Sequence, residues 1–255
     1  MPDTDAVCEK AIADVSALDV GFEDLAEYNR IIGFTHKRTV ADVAATNGVK
    51  AVLEIGFFTG AVSLALARLG YQVTASDIPF VANEPTLRGF LEGEGITVVP
   101  WDLSDQHAPF DDSSFDMIVF TEVIEHLPFN CIPLLRELSR ILKPQGVVYC
   151  ATPNLASLNH RVRLARGRDI GMSAEMLTVG LEPDSGASLG FHWREHTKDS
   201  LIGLFEASGF DCVEHRFVTM NPVKGAFPKS LIKAALFGAV PSFLGGQVGM
   251  FRPRQ

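Results

Sequence analysis

A carboxylate and two glycines occur where an apolar run of the sequence gives way to a helix-like segment. The stretch VLEIGFFTG contains Glu54, Gly56 and Gly60. Glycine at such a turn lets the backbone approach a ligand closely, and the helix that follows offers unpaired N–H groups. The next apolar run ends at Asp77, about 20 residues after the first glycine, where a carboxylate can accept hydrogen bonds from a ribose diol. These residues predict a site that binds a nucleoside.

The dinucleotide fingerprint G-x-G-x-x-G is not present in this turn. Its second and third glycine positions are Phe58 and Ala61, and a phenylalanine would crowd a pyrophosphate lying on the turn. The sequence also lacks the tyrosine–lysine pair, separated by three residues, of short-chain dehydrogenases. A ligand without phosphates is therefore favoured. A nucleotide-dependent (NAD(P)) oxidoreductase or epimerase and a non-catalytic nucleoside-binding protein remain the alternatives.

Short apolar runs alternate with helix-like segments, and this pattern predicts an α/β fold. Runs bounded by Gly, Pro or Asp are typical of strands buried on both faces of a parallel sheet. The predicted strands are 50–55, 71–76, 97–100, 115–120, 146–152, 210–219 and 247–252, and the predicted helices are 61–69, 132–142 and 198–208, with helical, amphipathic sequence over 5–47. The parallel arrangement would bring the carboxyl ends of the strands, and the residues that follow them, to one edge of the sheet.

Composition limits the classes of function. The chain of 255 residues suits one α/β domain. Its net charge of −9, from 22 Lys and Arg against 31 Asp and Glu, provides no overall positive field for a nucleic-acid backbone, so no nucleic-acid partner is expected. The four cysteines contain no C-x-x-C pair, which favours reduced thiols over a zinc site or a disulfide framework.

Two segments bear on the compartment. The amino terminus MPDTDAVCEK carries acidic residues where a signal peptide would have a basic and then an apolar segment. A cytoplasmic protein is therefore expected. The stretch 227–246 is apolar but is interrupted by Lys233, Pro241 and several glycines, and its apolar runs are too short to span a membrane. A weak contact with a membrane surface is one interpretation of it, and a helix beside the cleft is the other.

The chain resembles the class I S-adenosylmethionine-dependent methyltransferases, in particular the group with an E-x-G-x-x-x-G first motif. The resemblance extends over about residues 50–219. It depends on the order and spacing of the segments VLEIGFFTG, ASD at 75–77, WDLSD at 101–105, SFDMIVFTEVIEHL at 114–127, LLRELSRILKPQGVVYCATPN at 134–154 and HWREHTKDSLIGLFEASGF at 192–210. The family usually has glycine where Phe58 stands, so the path of that turn differs here.

What the resemblance implies is a Rossmann-like, seven-stranded, mostly parallel sheet with an antiparallel last strand and helices on both faces. It implies S-adenosylmethionine as the cofactor, with Asp77 on the ribose, Ile78 on the adenine face, and Asp102 with the Leu103 backbone N–H at the adenine edge. The residues it assigns to cofactor binding are Glu54, Gly56, Phe57, Gly60, Asp77, Ile78, Asp102, Leu103 and Thr121. The implied layout is a single domain, with a helical cover (1–47), a cofactor-binding core (48–152), an acceptor-side insertion (153–196) and a C-terminal helix and strands (197–255).

Methyl transfer to a hydroxyl requires that the hydroxyl proton leave, and a histidine suits that task. His126 follows the fourth predicted strand within TEVIEHL and is the predicted catalytic base, with fixing of the loop as its alternative role. Glu122, Glu125 and His126 also resemble a metal-assisted site of the ubiquinone-pathway O-methyltransferases. The two glutamates, three residues apart, could share a helical face and bind Mg²⁺. They could instead cap and orient the loop, and no metal is assigned.

The expected acceptor is a small molecule, a sugar or a lipid-linked hydroxyl, because ATPN and HWREHT resemble segments of methyltransferases of cell-surface polysaccharide and lipid pathways. A quinone or another small metabolite is the second expectation. His192, Arg194 and His196 fall in the insertion, which commonly shapes the acceptor pocket in this family. Metal binding by the two histidines is not expected, because Thr197 is the predicted start of the next helix. A basic cluster could attract a phosphorylated or carboxylated acceptor or could be a solvated face, and its members are Arg161, Arg163, Arg166 and Arg168.

Overall fold

A computed structural model describes residues 3–21, 24–105, 107–179, 190–220 and 237–254. Seven strands form one sheet in the order β3-β2-β1-β4-β5-β7-β6. The strands are β1 (Ala51–Ile55), β2 (Gln72–Asp77), β3 (Thr97–Pro100), β4 (Phe115–Thr121), β5 (Leu142–Pro153), β6 (Phe210–Val218) and β7 (Gly246–Pro253). Strands β1 to β5 pair in parallel, and β7 lies antiparallel between β5 and β6. The predicted fold, with its antiparallel last strand, is confirmed.

Helices surround the sheet on both faces. They are α1 (Thr4–Ser16), α2 (Leu25–Ala45), α3 (Ala61–Arg68), α4 (Pro79–Ala82), α5 (Pro85–Gly93), α6 (Ile132–Ile141), α7 (Leu158–Ala165), α8 (Ala174–Val179) and α9 (Lys198–Ala207). Short 3₁₀ turns occur at Ile124–His126 and Pro241–Phe243. The helical segment predicted over 5–47 is therefore two helices, each with an aspartate as its N-cap.

Two apolar cores follow from the alternation of side chains along the strands. On one face, Val52 and Val119 pack with the helices α1 to α3. On the other face, Leu53 and Phe120 pack with α6 and α9. Helix α6 contributes Leu135 to this second core. The sheet order reverses between β1 and β4, and ligands of open α/β sheets bind at the carboxyl ends of the strands beside such a reversal.

The boundaries of several elements differ from the predicted ones. Helix α6 ends at Ile141 and β5 begins at Leu142, several residues before the predicted strand at 146. The residue before a proline favours an extended backbone. Lys143, which precedes Pro144, therefore belongs to strand β5 and not to helix α6. Gly146 is required there, because a Cβ on it would lie 3.0 Å from the Lys143 carbonyl oxygen.

Helices α4 and α5 were not predicted, and the segment 153–196, which shows little periodicity in sequence, contains α7 and α8. The stretch 227–246 falls partly outside the described residues, since positions 227–236 are not described. Among the described residues, none of the helices has both the length and the apolar character needed to cross a membrane.

Candidate active site

The turn after β1 adopts backbone conformations that its glycines permit. Gly56 has φ +76° and donates its N–H to the Ser76 carbonyl oxygen at 2.8 Å. A Cβ at this position would lie 2.4 Å from Val123 Cγ2, in the segment after β4. Gly60, with φ +75°, caps the start of α3, and a Cβ there would lie 2.9 Å from Leu91. Larger residues at either glycine would therefore displace their neighbours.

Phe58 adopts φ +37° in the same turn, a region that bulky residues rarely occupy. Its backbone N–H donates to Asp77 Oδ2 at 2.9 Å, and its ring packs edge-on against Tyr28 of α2, with the centroids 4.7 Å apart. Phe57 beside it is buried. The phenylalanine that replaces the usual glycine is thus held from two sides, by the end of β2 and by the N-terminal helices.

Asp77 lies at the carboxyl end of β2, half-buried. Besides the Phe58 N–H, it accepts the Ile78 N–H on Oδ1 at 2.8 Å. Burial raises the pKa of Asp77 to about 6, although both backbone hydrogen bonds favour the charged form. Each carboxylate oxygen has two lone pairs, so Asp77 can accept further hydrogen bonds from a ligand diol. Ile78 is half-buried and packs on the adjacent core.

Glu54 is a buried support of the turn. Its Oε2 accepts a hydrogen bond from the Ser63 hydroxyl of α3. Burial, with a smaller contribution from the nearby Asp77, raises the pKa of Glu54 to about 8. Through this hydrogen bond Glu54 links β1 to α3 beneath the turn.

The other predicted cofactor residues lie at the ends of the neighbouring strands. Asp102, after β3, is exposed and accepts the Ser104 N–H at 2.9 Å, and the Leu103 side chain is buried. Thr121 ends β4, and its buried hydroxyl has no hydrogen-bond partner among the described residues. The same holds for the Ser76 hydroxyl near the end of β2. These unpartnered polar groups and Asp77 fit a polar ligand such as a nucleoside.

A second cluster follows β4. His126 Nδ1 lies 3.0 Å from the Phe191 carbonyl oxygen, and because a carbonyl only accepts, Nδ1 carries the proton. The other ring nitrogen, Nε2, then presents a lone pair. Burial, with a smaller contribution from the neighbouring His192, lowers the pKa of His126 to about 4. The His126 side chain keeps 23% of its surface exposed, so a ligand can reach it.

Glu125 is fully buried beside this histidine. Its Oε2 accepts the Thr152 hydroxyl at 2.9 Å. The other oxygen, Oε1, lies 3.9 Å from His126 Nε2 and has no hydrogen-bond partner among the described residues. Burial raises the pKa of Glu125 to about 7.

The insertion brings a second histidine to the cluster. His192 Nδ1 is paired with Glu195 Oε1 at 3.0 Å, and this carboxylate raises the pKa of His192. The rings of His126 and His192 meet edge to face, with centroids 4.8 Å apart. The Glu125 carbonyl holds the loop by accepting the N–H groups of Trp193 and Arg194.

Potential metal-ligand atoms of Glu125, His126 and His192 lie within 4.8 Å of one another. The other oxygen of Glu125 accepts the Thr152 hydroxyl, Nδ1 of His126 contacts the Phe191 carbonyl, and Nδ1 of His192 contacts Glu195. Such additional contacts fix the orientation of ligands in metal sites. When Glu125 is ionised, its Oε1 and the His126 Nε2 face each other as two acceptors. A proton on Glu125, a cation or the hydroxyl of a bound molecule would satisfy them.

The Glu122 carboxyl interacts with that of Glu125 but is not among the potential metal-ligand atoms that lie within 4.8 Å of one another, and Glu122 does not share an α-helical face with Glu125. It has φ +54° and precedes the 3₁₀ turn Ile124–His126, so the three-residue spacing of an α-helix does not apply. Burial and the neighbouring Glu125 raise its pKa well above the usual value.

The remaining candidates lie apart from the cluster. His196 is buried, and its Nδ1 bonds the Ser200 hydroxyl of α9. Thr197 caps that helix, as predicted. The basic cluster lies on and just after α7, with its arginines exposed. Within it, Arg163 donates to the Asp169 carbonyl oxygen.

Sequence reasoning did not anticipate that His192 joins Glu125 and His126. No local pattern could have indicated it, because the two histidines are distant in sequence and meet only through the loop that β5 and α9 position. The sequence indicated only that His126 follows the fourth predicted strand and that His192 lies in the insertion after the fifth, so that both could lie near the carboxyl edge of the sheet.

Known proteins resemble this chain over most of its length. The model of a family described as "Methyltransferase domain" matches residues 28–215. The ubiquinone biosynthesis O-methyltransferase of Cereibacter sphaeroides is 28% identical over 183 residues, 70% of this chain and 67% of that protein. The demethylmenaquinone methyltransferase of Clavibacter sepedonicus is 30% identical over 194 residues, 73% of this chain and 74% of that protein.

Solved structures share the fold. The CcbJ methyltransferase from Streptomyces caelestis superposes with a TM-score of 0.59 at 16% identity, covering 86% of this chain and 94% of that one. A SAM-dependent methyltransferase from Archaeoglobus fulgidus gives a TM-score of 0.56 at 16% identity, covering 88% of this chain and 96% of that one.

Proposed function

The chain belongs to the S-adenosylmethionine-dependent methyltransferases, and from this premise we propose that it methylates a small-molecule hydroxyl with His126 as the base. The observation that carries this proposal is the free Nε2 lone pair of His126, fixed by the Nδ1 contact with Phe191. This nitrogen lies in a partly exposed cluster that follows the carboxyl end of β4.

We propose that the donor binds across the ends of β1, β2, β3 and β4. The Gly56 to Gly60 turn would hold its methionine part, with Glu54 and Phe57 beneath the turn. Asp77 would accept from the ribose hydroxyls, Ile78 would cover the adenine, and Asp102 and the Leu103 N–H would bind the adenine edge. The unpartnered hydroxyl of Thr121 gives the site a further polar contact. Support comes from the positions of these residues at one edge of the sheet.

When bound, S-adenosylmethionine supplies an electrophilic methyl carbon on a sulfonium sulfur. The protein has to align the acceptor oxygen with that carbon, and well-oriented reactants gain effective molarities of about 10⁵ M or more. As the oxygen–carbon bond forms and the carbon–sulfur bond breaks, His126 Nε2 takes the hydroxyl proton. At neutral pH this nitrogen is already free, because burial keeps the pKa of His126 near 4. The same low basicity lets the imidazolium release the proton to water.

The proposed acceptor class is a hydroxyl of a small molecule, with quinone-type compounds first. Two relatives carry quinone-pathway names, which supports this order. Sugar and lipid-linked hydroxyls come second, because only motif resemblance supports them. The proposed compartment is the cytoplasm, since the four thiols are free and suit a reducing environment. Weak membrane-surface contact through 227–246 stays a proposal.

Titration calorimetry tests the donor. We expect saturable 1:1 binding of S-adenosylmethionine and of its demethylated product, and no binding of NAD(P). Transfer of tritium from labelled donor to phenolic, sugar and lipid-linked acceptors then identifies the acceptor class. Methylation confined to amine or carbon acceptors would contradict the proposed hydroxyl chemistry, and donor binding without transfer to any acceptor would favour a nucleoside-binding protein.

A divalent metal is the second candidate for activating the hydroxyl, and the group Glu125, His126 and His192 favours it. One carboxylate oxygen and two imidazole nitrogens suit Zn²⁺, Mn²⁺ or Fe²⁺ better than Mg²⁺, which prefers oxygen. In this arrangement His126 would be a ligand instead of a base.

A chelator separates the two candidates. If His126 acts as a base, dialysis against EDTA should leave the methylation rate unchanged, and the apo protein should bind Mn²⁺ no more tightly than the variant Glu125→Gln does. Calorimetry with Mn²⁺ alone measures the binding. Activity lost with EDTA and restored by a divalent ion, together with Mn²⁺ binding that disappears in Glu125→Gln, would replace the base by the metal.

A further inference from the structure

The turn that precedes α3 is strained, and a buried threonine lies at its centre. Thr59 stands between Phe58, with φ +37°, and Gly60, with φ +75°, and it is fully buried. A non-glycine residue in the left-handed region persists only when the surrounding structure over-determines its conformation. The contacts of Thr59 and Phe58 therefore decide whether this turn keeps its shape.

The side chain of Thr59 is bound to α2. Its hydroxyl donates to the amide oxygen of Asn29 at 3.1 Å. The same oxygen lies 3.2 Å from His36 Nε2, and because an amide oxygen only accepts, this nitrogen carries a proton. The Asn29 amide nitrogen donates to the Ser16 hydroxyl at 3.0 Å. Asn29 is 2% exposed, so its hydrogen bonds are shielded from competing water.

Consecutive residues of α2 hold consecutive residues of the turn. The ring of Tyr28 packs on the ring of Phe58, and Asn29 binds Thr59. Helix α2 is itself anchored to the sheet, because the Tyr149 hydroxyl of β5 donates to Asp42 at 2.7 Å. The turn is therefore fixed by α2 on one side and by the contact from the Phe58 N–H to Asp77 on the other.

We propose that Asn29 is a positioning residue for the methyl donor, acting through Thr59 on the turn from Gly56 to Gly60. This inference rests on the proposed placement of the donor on that turn. Without the Asn29–Thr59 bond, Phe58 can relax toward ordinary backbone angles and withdraw its N–H from Asp77. The carboxylate that would bind the ribose then loses one of the two bonds that orient it. In this proposal Asn29 of α2 supports the donor site through the turn.

The test compares Thr59→Val, which removes both the hydroxyl bond to Asn29 and the acceptor of the Ala61 N–H, with Thr59→Ser, which keeps the hydroxyl. Thr59→Val should raise the Kd of S-adenosylmethionine about tenfold, while Thr59→Ser stays within about twofold of wild type. At saturating donor, kcat of Thr59→Val should remain within about twofold, because the loss lies in donor binding and not in the chemical step. Calorimetry and initial rates measure these quantities.

Thr46→Val is the matched control, since it removes a hydroxyl bonded to the Asp42 carbonyl oxygen at the far end of α2. It should lower the melting temperature without changing donor affinity. Asn29→Ala should reproduce the raised Kd, and the Thr59 variants remain decisive if this buried change prevents folding. Donor affinity unchanged in Thr59→Val would overturn the inference. Absence of donor binding in the wild type would instead overturn the proposed donor site.

Discussion

Replacing His126 by alanine is expected to lower the rate of methyl transfer by about 10²-fold or more while leaving donor affinity nearly unchanged, because general bases contribute about this much to proton removal. The comparison is made at saturating donor and acceptor. His107→Ala serves as the control, since this histidine side chain is 84% exposed on the surface and its loss should leave the rate unaffected.

The pH profile gives an independent readout. His126 must be unprotonated to accept the proton, and burial lowers its pKa to about 4. Protonation of His126 itself should therefore lower the wild-type rate at saturating substrates as the pH drops through about 4, whereas an ordinary solvent-exposed histidine would place this limb near 6.5. A His126→Ala variant with full rate would assign the residue to the loop structure. Rescue of the variant at higher pH would support the base, because a more ionised acceptor needs no proton acceptor.

Asp77→Ala is expected to weaken donor binding by about 1 to 3 kcal/mol, roughly 5- to 150-fold in Kd, because the ribose hydroxyls lose their acceptor. The backbone N–H groups of Phe58 and Ile78 lose their hydrogen-bond acceptor as well. Asp105→Ala, at an exposed position after β3, should change nothing. Calorimetry measures both variants.

The raised pKa of Asp77 also predicts how donor affinity depends on pH. Burial raises its pKa to about 6, so the carboxylate gains a proton, and loses acceptor capacity, as the pH falls through about 6. Donor affinity should decline over that range in the wild type and stay flat in Asp77→Asn. Affinity of Asp77→Ala equal to that of the wild type would place the ribose elsewhere.

Much of the fold could be predicted from the sequence because each strand is a short apolar run with clear ends. Strand β3 lies where it was predicted, at Thr97–Pro100, and the other strands differ mainly at their ends. The early start of β5 depends on Pro144 and on the pairing of Leu142 with Phe115, which is a tertiary contact. The helices in 153–196 were missed because α7 has no buried residue and so carries no apolar stripe.

The candidate site was predictable where residues directly follow strands. Gly56, Asp77 and Thr121 stand at strand ends, and parallel pairing brings strand ends together. The meeting of His192 with His126 was not predictable, because it depends on the path of a long insertion. Asn29 was missed for a related reason: it is one of several buried polar residues of α2, and the sequence of an amphipathic helix gives no indication of the partner of each.

The position of β7 has a consequence for how the protein is made. Among the strands that the structure describes, β6 pairs with β7 alone, and β7 follows it only after the segment between Val218 and Gly246. On the ribosome, β1 to β5 can pair as they emerge, whereas β6 and the free side of β5 must wait with unpaired backbone groups. Exposed strand edges attract other chains. The nascent chain should therefore be most prone to aggregation in the interval before β7 is released, and a truncation that removes β7 should leave the protein permanently in that state.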